Sequence, residues 1–238
     1  MKPFIHQVAG HAGTLFERDG KLMKRATARE IAFYTMATTT SLREWIPRFH
    51  GVHTQFPDSF VVLDNLVAEF HRPCVADLKL GTVLAGPDAT IEKKERMHRV
   101  SQSTTSGLTG TRICGMQYWN GVNAVRHDST FGKQLDIGGM HAALEEFLEP
   151  CKDIFSEQIK MLHDTVSMPS LQLASYGASL LVIYDAADPT TLQLKLIDFA
   201  HTSMQATTGG NNGILQGVSY LLDWAAAARN EHGDIAAV

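Results

Sequence analysis

An acid and a base two residues apart in an otherwise apolar run constrain this chain more than any other feature. Residues 73 to 82 read Pro73-Cys74-Val75-Ala76-Asp77-Leu78-Lys79-Leu80-Gly81-Thr82. As a strand, the run sends Asp77 and Lys79 out from one face of a sheet, and Ala76, Leu78 and Leu80 from the other. An unpaired carboxylate or ammonium is expensive to bury. On the residues alone, two outcomes stay open: a structural ion pair, or a polar face that meets a ligand.

The 238 residues suffice for one large domain or two small lobes, and 44% apolar with 19% charged content is that of a globular protein. No apolar run reaches the roughly 18 residues of a membrane span, and Met1 to His6 lacks a signal-peptide core. The expectation is a cytoplasmic or nuclear protein with no membrane partner. Cys74, Cys114 and Cys151 are widely spaced, so neither a disulfide framework nor a cysteine metal site is suggested. Net charge is −4, yet residues 72 to 133 hold nine Lys and Arg against five Asp and Glu. A basic segment on an acidic chain points to a small anionic ligand. A pI near 6.2 without a stripe of basic and aromatic residues argues against nucleic acid.

Two segments rich in strand-forming residues flank Asp19-Gly20, the preferred turn pair of a two-residue hairpin, over residues 14 to 25. Thr27 then predicts a helix N-cap, with Glu30 at the capping-box spacing and Ile31, Tyr34 and Thr38 on one face. Phe60 to Leu66 reads as a strand reaching a loop. Gly86-Pro87-Asp88 ends the signature strand, and Asp88 is expected to cap a helix to about Ser101 on which Lys93, Arg96 and Val100 share a side. Residues 140 to 166 read as helical with no chemistry assigned. Ala178 to Asp185 and Leu194 to Thr202 read as paired strands across an Asp188-Pro189 turn, and the second ends in Ile197-Asp198-Phe199-Ala200-His201. An acid there is either a loop cap or a carboxylate presented to a ligand.

Pro-x-x-x-Asp-x-Lys-x-Gly, filled by Pro73, Asp77, Lys79 and Gly81, resembles the signature of the inositol polyphosphate kinases. The wording Pro-Cys-Val-Ala-Asp-Leu-Lys-Leu-Gly-Thr is most similar to the inositol hexakisphosphate kinase branch, in an amoebal-type short form. Leu22-Met23-Lys24 with Arg29-Glu30, Phe60 to Leu66, Glu92 to Arg96, Thr111 to Gln117, Ser179-Leu180-Leu181 and Ile197 to His201 resemble further family segments in order, over about residues 20 to 225. Phe131-Gly132-Lys133 stands where the family has aromatic-Gly-Arg, and Asn211 and Ile214 replace its usual Asp and Tyr.

The resemblance implies an α+β, two-lobed kinase-like fold with antiparallel sheets and a helical substrate-binding segment. Residues 1–66 would form the N-terminal lobe and hinge and residues 67–238 the C-terminal lobe, with 88–137 receiving the inositol phosphate. It implies an ATP- and Mg²⁺-dependent kinase, expected as a monomer, acting on inositol hexakisphosphate. The alternatives are a multikinase-like enzyme phosphorylating a hydroxyl of inositol tris- or tetrakisphosphate, and a catalytically silent phosphoinositide-binding module. Lys24 would hold the phosphates with Glu30 orienting it, Asp64 and Leu66 would meet adenine, and Asp198 with Ser179 would hold the metal. Asp77 has two open roles, the ribose or the acceptor's proton. Lys79 would bridge the transferring phosphoryl group, and Lys93, Lys94, Arg96, Arg99, Lys133 and His201 would meet substrate. No His-Arg-Asp loop or Gly-x-Gly-x-x-Gly turn occurs, which argues against a protein kinase.

Overall fold

A computed structural model describes residues 2–8, 13–55, 57–204 and 211–233. The first five strands are β1 (Lys2–Pro3), β2 (Leu15–Arg18), β3 (Lys21–Arg25), β4 (Phe49–Gln55) and β5 (Asp58–Asp64), with helix α1 (Ala28–Ala37) between β3 and β4. They form one antiparallel sheet in the order β1-β2-β3-β5-β4. Asp19 and Gly20 sit at φ 51° and 72°, the positive values that a primed hairpin turn demands of both central residues. The turn sets the register that places Lys24 opposite Leu15. Thr27 Oγ accepts from Glu30 N, so the N-cap forms as expected. The buried face of α1 is Glu30, Phe33, Tyr34 and Ala37, with Ile31 only partly covered.

The second sheet is β11-β10-β6-β7-β8, all antiparallel: β6 (Pro73–Leu80), β7 (Thr111–Asn120), β8 (Asn123–His127), β10 (Ser179–Asp185) and β11 (Asp188–Ile197). Helices α2 (Ile91–Gln102), α3 (Ser106–Thr109), α4 (Ser129–Gln134), α5 (Ile137–Leu148) and α6 (Lys152–Val166) fall between its strands. A two-stranded ribbon of β9 (Leu173–Ser175) and β12 (Thr202–Met204), then α7 (Gly213–Gly233), complete the fold. Alternation along β6 divides its residues as its pattern predicts. Cys74, Ala76, Leu78 and Leu80 join the main core with Phe147, Phe155, Leu162 and Leu221 of the helices. Val75, Asp77 and Lys79 leave from the opposite face, toward the first sheet. Each fully buried aliphatic or aromatic side chain contributes roughly 1.5–3 kcal/mol, so the helical side fixes the sheet and leaves its other face free for polar residues.

Several boundaries differ from those predicted: β6 ends at Leu80, ahead of Gly86-Pro87-Asp88, and β11 ends at Ile197. Thr90, not Asp88, caps α2: its Oγ accepts from Lys93 N, while Asp88 pairs with Arg29 at 2.8 Å. Asp88 stands two residues ahead of the N-cap position, and its half-exposed pair with Arg29 contributes little to stability. The β10–β11 turn falls at residues 186–187, and Asp188-Pro189 already opens β11, because the Asp185 carboxylate accepts from Ala187 N and ties the turn there. The predicted helical stretch is two helices, α5 and α6, separated by a 3₁₀ turn at Glu149–Cys151, where Pro150 cannot continue the backbone ladder.

Candidate active site

The site lies between the two sheets. Lys24 on β3 reaches down with its Nζ 2.6 Å from Glu30 Oε1 and 2.6 Å from Asp198 Oδ1. Glu30, buried on α1, also accepts from Phe199 N at 3.2 Å. Of the two roles open to Glu30, the structure shows the lysine partner. Phe199 stacks on Phe33 with ring centroids 4.0 Å apart and meets Tyr34 edge-on at 5.2 Å. Aromatic packing against α1 thereby fixes the residue next to Asp198.

Asp198 follows β11 at φ 67°, a left-handed conformation that Asp tolerates better than most residues but at some cost. This turn directs its carboxylate back into the cleft, where Oδ2 lies 3.5 Å from Lys79 Nζ. Lys79 also donates to Gly177 O at 2.9 Å. Burial opposes the Asp198 charge, but Lys24 and then Lys79 outweigh it and hold the carboxyl well below the usual range. Lys24 is held above its ordinary value, burial being overcome by Asp198 and Glu30. Lys79 is raised in the same way by Asp198 and Asp77.

Asp77 and Lys79 do leave from one face, but Lys79 spends itself on Asp198 and Gly177. Asp77 is 6% exposed, and its Oδ1 has no hydrogen-bond partner. Burial raises its pKa, Lys79 lowers it and Asp198 raises it again. Ser179 Oγ, across the strand pair from Lys79, is likewise buried without a partner. Ser179 also acts on the Asp77 carboxyl and lowers its pKa, and the bonding capacity left over is open to a water, an ion or a ligand.

Two hollows meet at this network. The inner one is lined by Leu15, Leu22, Leu63, Leu66, Val75, Leu181 and Ile197, with Asp64, Asp77, Lys24 and Asp198. The outer one is lined by Arg25, Thr27, Glu30, Tyr176, Gly177 and His201, again with Lys24 and Asp198. The Asp64 carboxylate is taken by Lys21 at 2.7 Å and His50 at 2.6 Å, and both partners outweigh burial in lowering its pKa. Lys93 lies 3.2 Å from His201 Nε2. Burial and then Lys93 hold His201 below its ordinary pKa, so Nε2 is the acceptor of a neutral ring. Lys94 donates to Pro87 O. Arg96, Arg99 and Lys133 are exposed on α2 and α4, and no contact among the described residues joins them to the network.

Sequence reasoning missed the N-terminal contribution. Phe4, His6, Gln7 and Val8 line the inner hollow; Gln7 O accepts from Arg126, and Val8 packs over Gly115, where a Cβ would overlap Val8 O. The absent side chain at Gly115 was the available signal. Gly177, the anchor of Lys79, had none. Asn211 and Ile214, which depart from the family pattern, both fall among the described residues. Asn211 bonds Ser175 O and Gln216, and Ile214 is buried in the core.

The donor set here is oxygen only, and among the described residues no group of three metal-ligating side chains forms a cage. That combination suits Mg²⁺, which keeps its waters and takes one or two carboxylates plus phosphate oxygens. The Asp198 carboxylate and the buried Ser179 hydroxyl fit it.

The sequence profile described as inositol polyphosphate kinase matches residues 60–226. The inositol polyphosphate multikinase of Schizosaccharomyces pombe is 30% identical over 97% of this chain and 99% of its own length. The mouse inositol hexakisphosphate kinase 3 is 30% identical over 68% of this chain, which spans half the length of that relative. Among solved structures, the inositol phosphate multikinase of S. cerevisiae in complex with ADP and Mn²⁺ superposes with a TM-score of 0.77 at 26% identity, covering 87% of this chain and 98% of that one. The two-lobed α+β kinase-like architecture is shared with it.

Proposed function

The chain belongs to the inositol polyphosphate kinase family, and from that premise we propose that it is a multikinase-like enzyme transferring phosphate from ATP to a hydroxyl of inositol tris- or tetrakisphosphate. The observation that carries the catalytic part is the convergence of Lys24, Glu30, Lys79 and Asp198 on one ion-paired network between two hollows. The full-length match to a multikinase, against half-length matches to hexakisphosphate kinases, favours the multikinase reading over the hexakisphosphate reading expected from the signature wording.

In this reading the adenine occupies the apolar inner hollow beside Leu66 and the backbone at Asp64. Lys24, oriented by Glu30, holds the phosphates. Asp198 with Ser179 holds Mg²⁺, which when bound neutralises phosphate charge. Asp77 lines the inner hollow and not the outer one, which supports the ribose hydroxyls as its partner over the acceptor's proton. Lys79 stands between donor and acceptor and offsets the charge that grows on the transferring group. His201 borders the acceptor's hollow with Lys93 against its ring, and Lys94, Arg96, Arg99 and Lys133 supply an outer, screened field for a polyanion.

The test is incubation with ATP and Mg²⁺ and, in turn, inositol tris-, tetrakis- and hexakisphosphate, the products separated by charge. Added monophosphates on the first two substrates are expected. A diphosphate made only from the hexakisphosphate would restore the hexakisphosphate reading, and ATP binding without turnover of any would favour the silent module.

A further inference from the structure

Arg112 is a buried cation that the site described above does not use. It is 7% exposed, yet Nε and Nη1 have no hydrogen-bond partner. Its Nη2 donates to Cys114 Sγ at 3.6 Å, a weak acceptor. Burial raises the Cys114 pKa, so the thiol stays neutral and supplies no counter-charge. No ion pair joins Arg112 among the described residues. A lysine in this position can relieve such burial by losing its proton, but a guanidinium cannot. Its charge remains costly until an anion reaches it.

The placement says where that anion comes from. Arg112 and Lys79 are paired residues of β7 and β6, so both side chains leave from the cleft face. The sheet order β11-β10-β6-β7 sets Asp198, Ser179, Lys79 and Arg112 in sequence across that face. Arg112 therefore lies on the far side of Lys79 from the metal-binding carboxylate. The ladder is irregular beside Asp77, where Gly115 opposes Asp77 and Ile113 opposes Leu78, leaving Cys114 as an extra residue. Such bulges re-aim neighbouring side chains beside functional sites.

We infer that Arg112 receives a phosphate already borne by the inositol ring, next to the hydroxyl that is phosphorylated. The inference rests on the inositol polyphosphate kinase reading. Charge-assisted N–H···O bonds from a guanidinium satisfy a phosphate better than an ammonium does. The exposed cations of α2 and α4 can follow a phosphate at several ring positions; Arg112 is held by β7 and cannot. It thus selects substrates that carry a phosphate at one position relative to the acceptor hydroxyl, and fixes which hydroxyl reacts.

The experiment compares wild type, Arg112→Met and Arg112→Lys by thermal unfolding, alone and with inositol tetrakisphosphate or Mg·ADP, and by steady-state kinetics. Arg112→Met is expected to melt higher than wild type without ligand, because an unpaired buried charge is gone. It is expected to lose most of the tetrakisphosphate-induced rise in Tm, keep the Mg·ADP rise, and show a KM for the inositol phosphate at least tenfold higher with altered product isomers. Arg112→Lys is expected to fall between the two, and carries the comparison if the Met variant does not fold. A folded Arg112→Met or Arg112→Lys with unchanged KM and an unchanged tetrakisphosphate-induced rise in Tm overturns the inference alone. Loss of the Mg·ADP response instead would assign Arg112 to the nucleotide and overturn it too. A wild-type protein that responds to nucleotide and to no inositol phosphate overturns the functional reading itself.

Discussion

Lys24 Nζ stands 2.6 Å from Asp198 Oδ1, and these two residues line both the inner and the outer hollow. In the proposed reading, the ion pair occupies the boundary that a phosphoryl group would cross. On that reading each residue is the other's substitute without ligand: the ammonium would stand in for a metal ion, the carboxylate for a phosphate. Charges kept paired in this way remain ionised and positioned without the penalty of solitary burial.

Asp198→Asn is predicted to fold and to lose phosphoryl transfer by about 100-fold or more, since an amide keeps the volume but not the charge a hard cation requires. Asn also tolerates the left-handed backbone at φ 67°. ATP turnover and thermal unfolding of the same variant check this. Turnover near wild type would return Asp198 to a loop-capping role.

Lys79→Ala is predicted to lower kcat far more than Lys93→Ala, which mainly raises KM. A group at the reaction centre acts on charge present only in the transition state, whereas a cation at the rim holds ground and transition states alike. Steady-state kinetics of both variants decide it, and equal kcat losses would misplace the reaction centre.

Asp77→Asn is predicted to be more stable than wild type at neutral pH while less active. Burial raises the Asp77 pKa, so the native state is penalised once this carboxylate ionises. That penalty grows as pH rises above the unfolded value near 4. Denaturant midpoints at pH 7 measure the gain, about 1 kcal/mol if one unsatisfied oxygen is relieved. Unchanged activity would exclude Asp77 from ligand binding.

Asp198 and Asp185 show the opposite pH dependence. Burial opposes the Asp185 charge, and the backbone N–H groups of Ala187, His71 and Arg72 outweigh it and lower the pKa. A carboxylate with a depressed folded pKa contributes stability fully above its unfolded value, and loses it as pH falls toward the folded value. Melting temperature is predicted to fall steeply only below about pH 4, and Asp185→Asn to flatten part of that slope.

Gly132→Ala and Gly115→Ala are predicted to separate folding from binding. A Cβ at Gly132 would overlap Ile113 O, where α4 packs on β7, and one at Gly115 would overlap Val8 O. Displacing α4 is expected to cost roughly 1–3 kcal/mol. Displacing residues 4–8 is expected to change the KM for ATP more than stability, because they line the inner hollow without entering the main core. Unfolding and kinetics of the two variants test the distinction.

By itself the sequence determined the strands and their faces. The period-two alternation from Cys74 to Leu80 is a local property, so Asp77 and Lys79 were bound to share a side. Asp19-Gly20 and Thr27 likewise set their turn and cap through their own backbone preferences, and the family signature supplied the kinase reading. Only the tertiary structure decided how the charges pair. Lys79 lies 119 positions from Asp198 and Lys24 lies 174 from it, and no periodicity reports on contacts across such distances. The same limit hid Arg112, whose paired residue Lys79 is 33 positions away, and the pairing of Asp88 with Arg29. Local geometry is written in neighbouring residues; electrostatic compensation is settled among whatever side chains the packed sheets bring together.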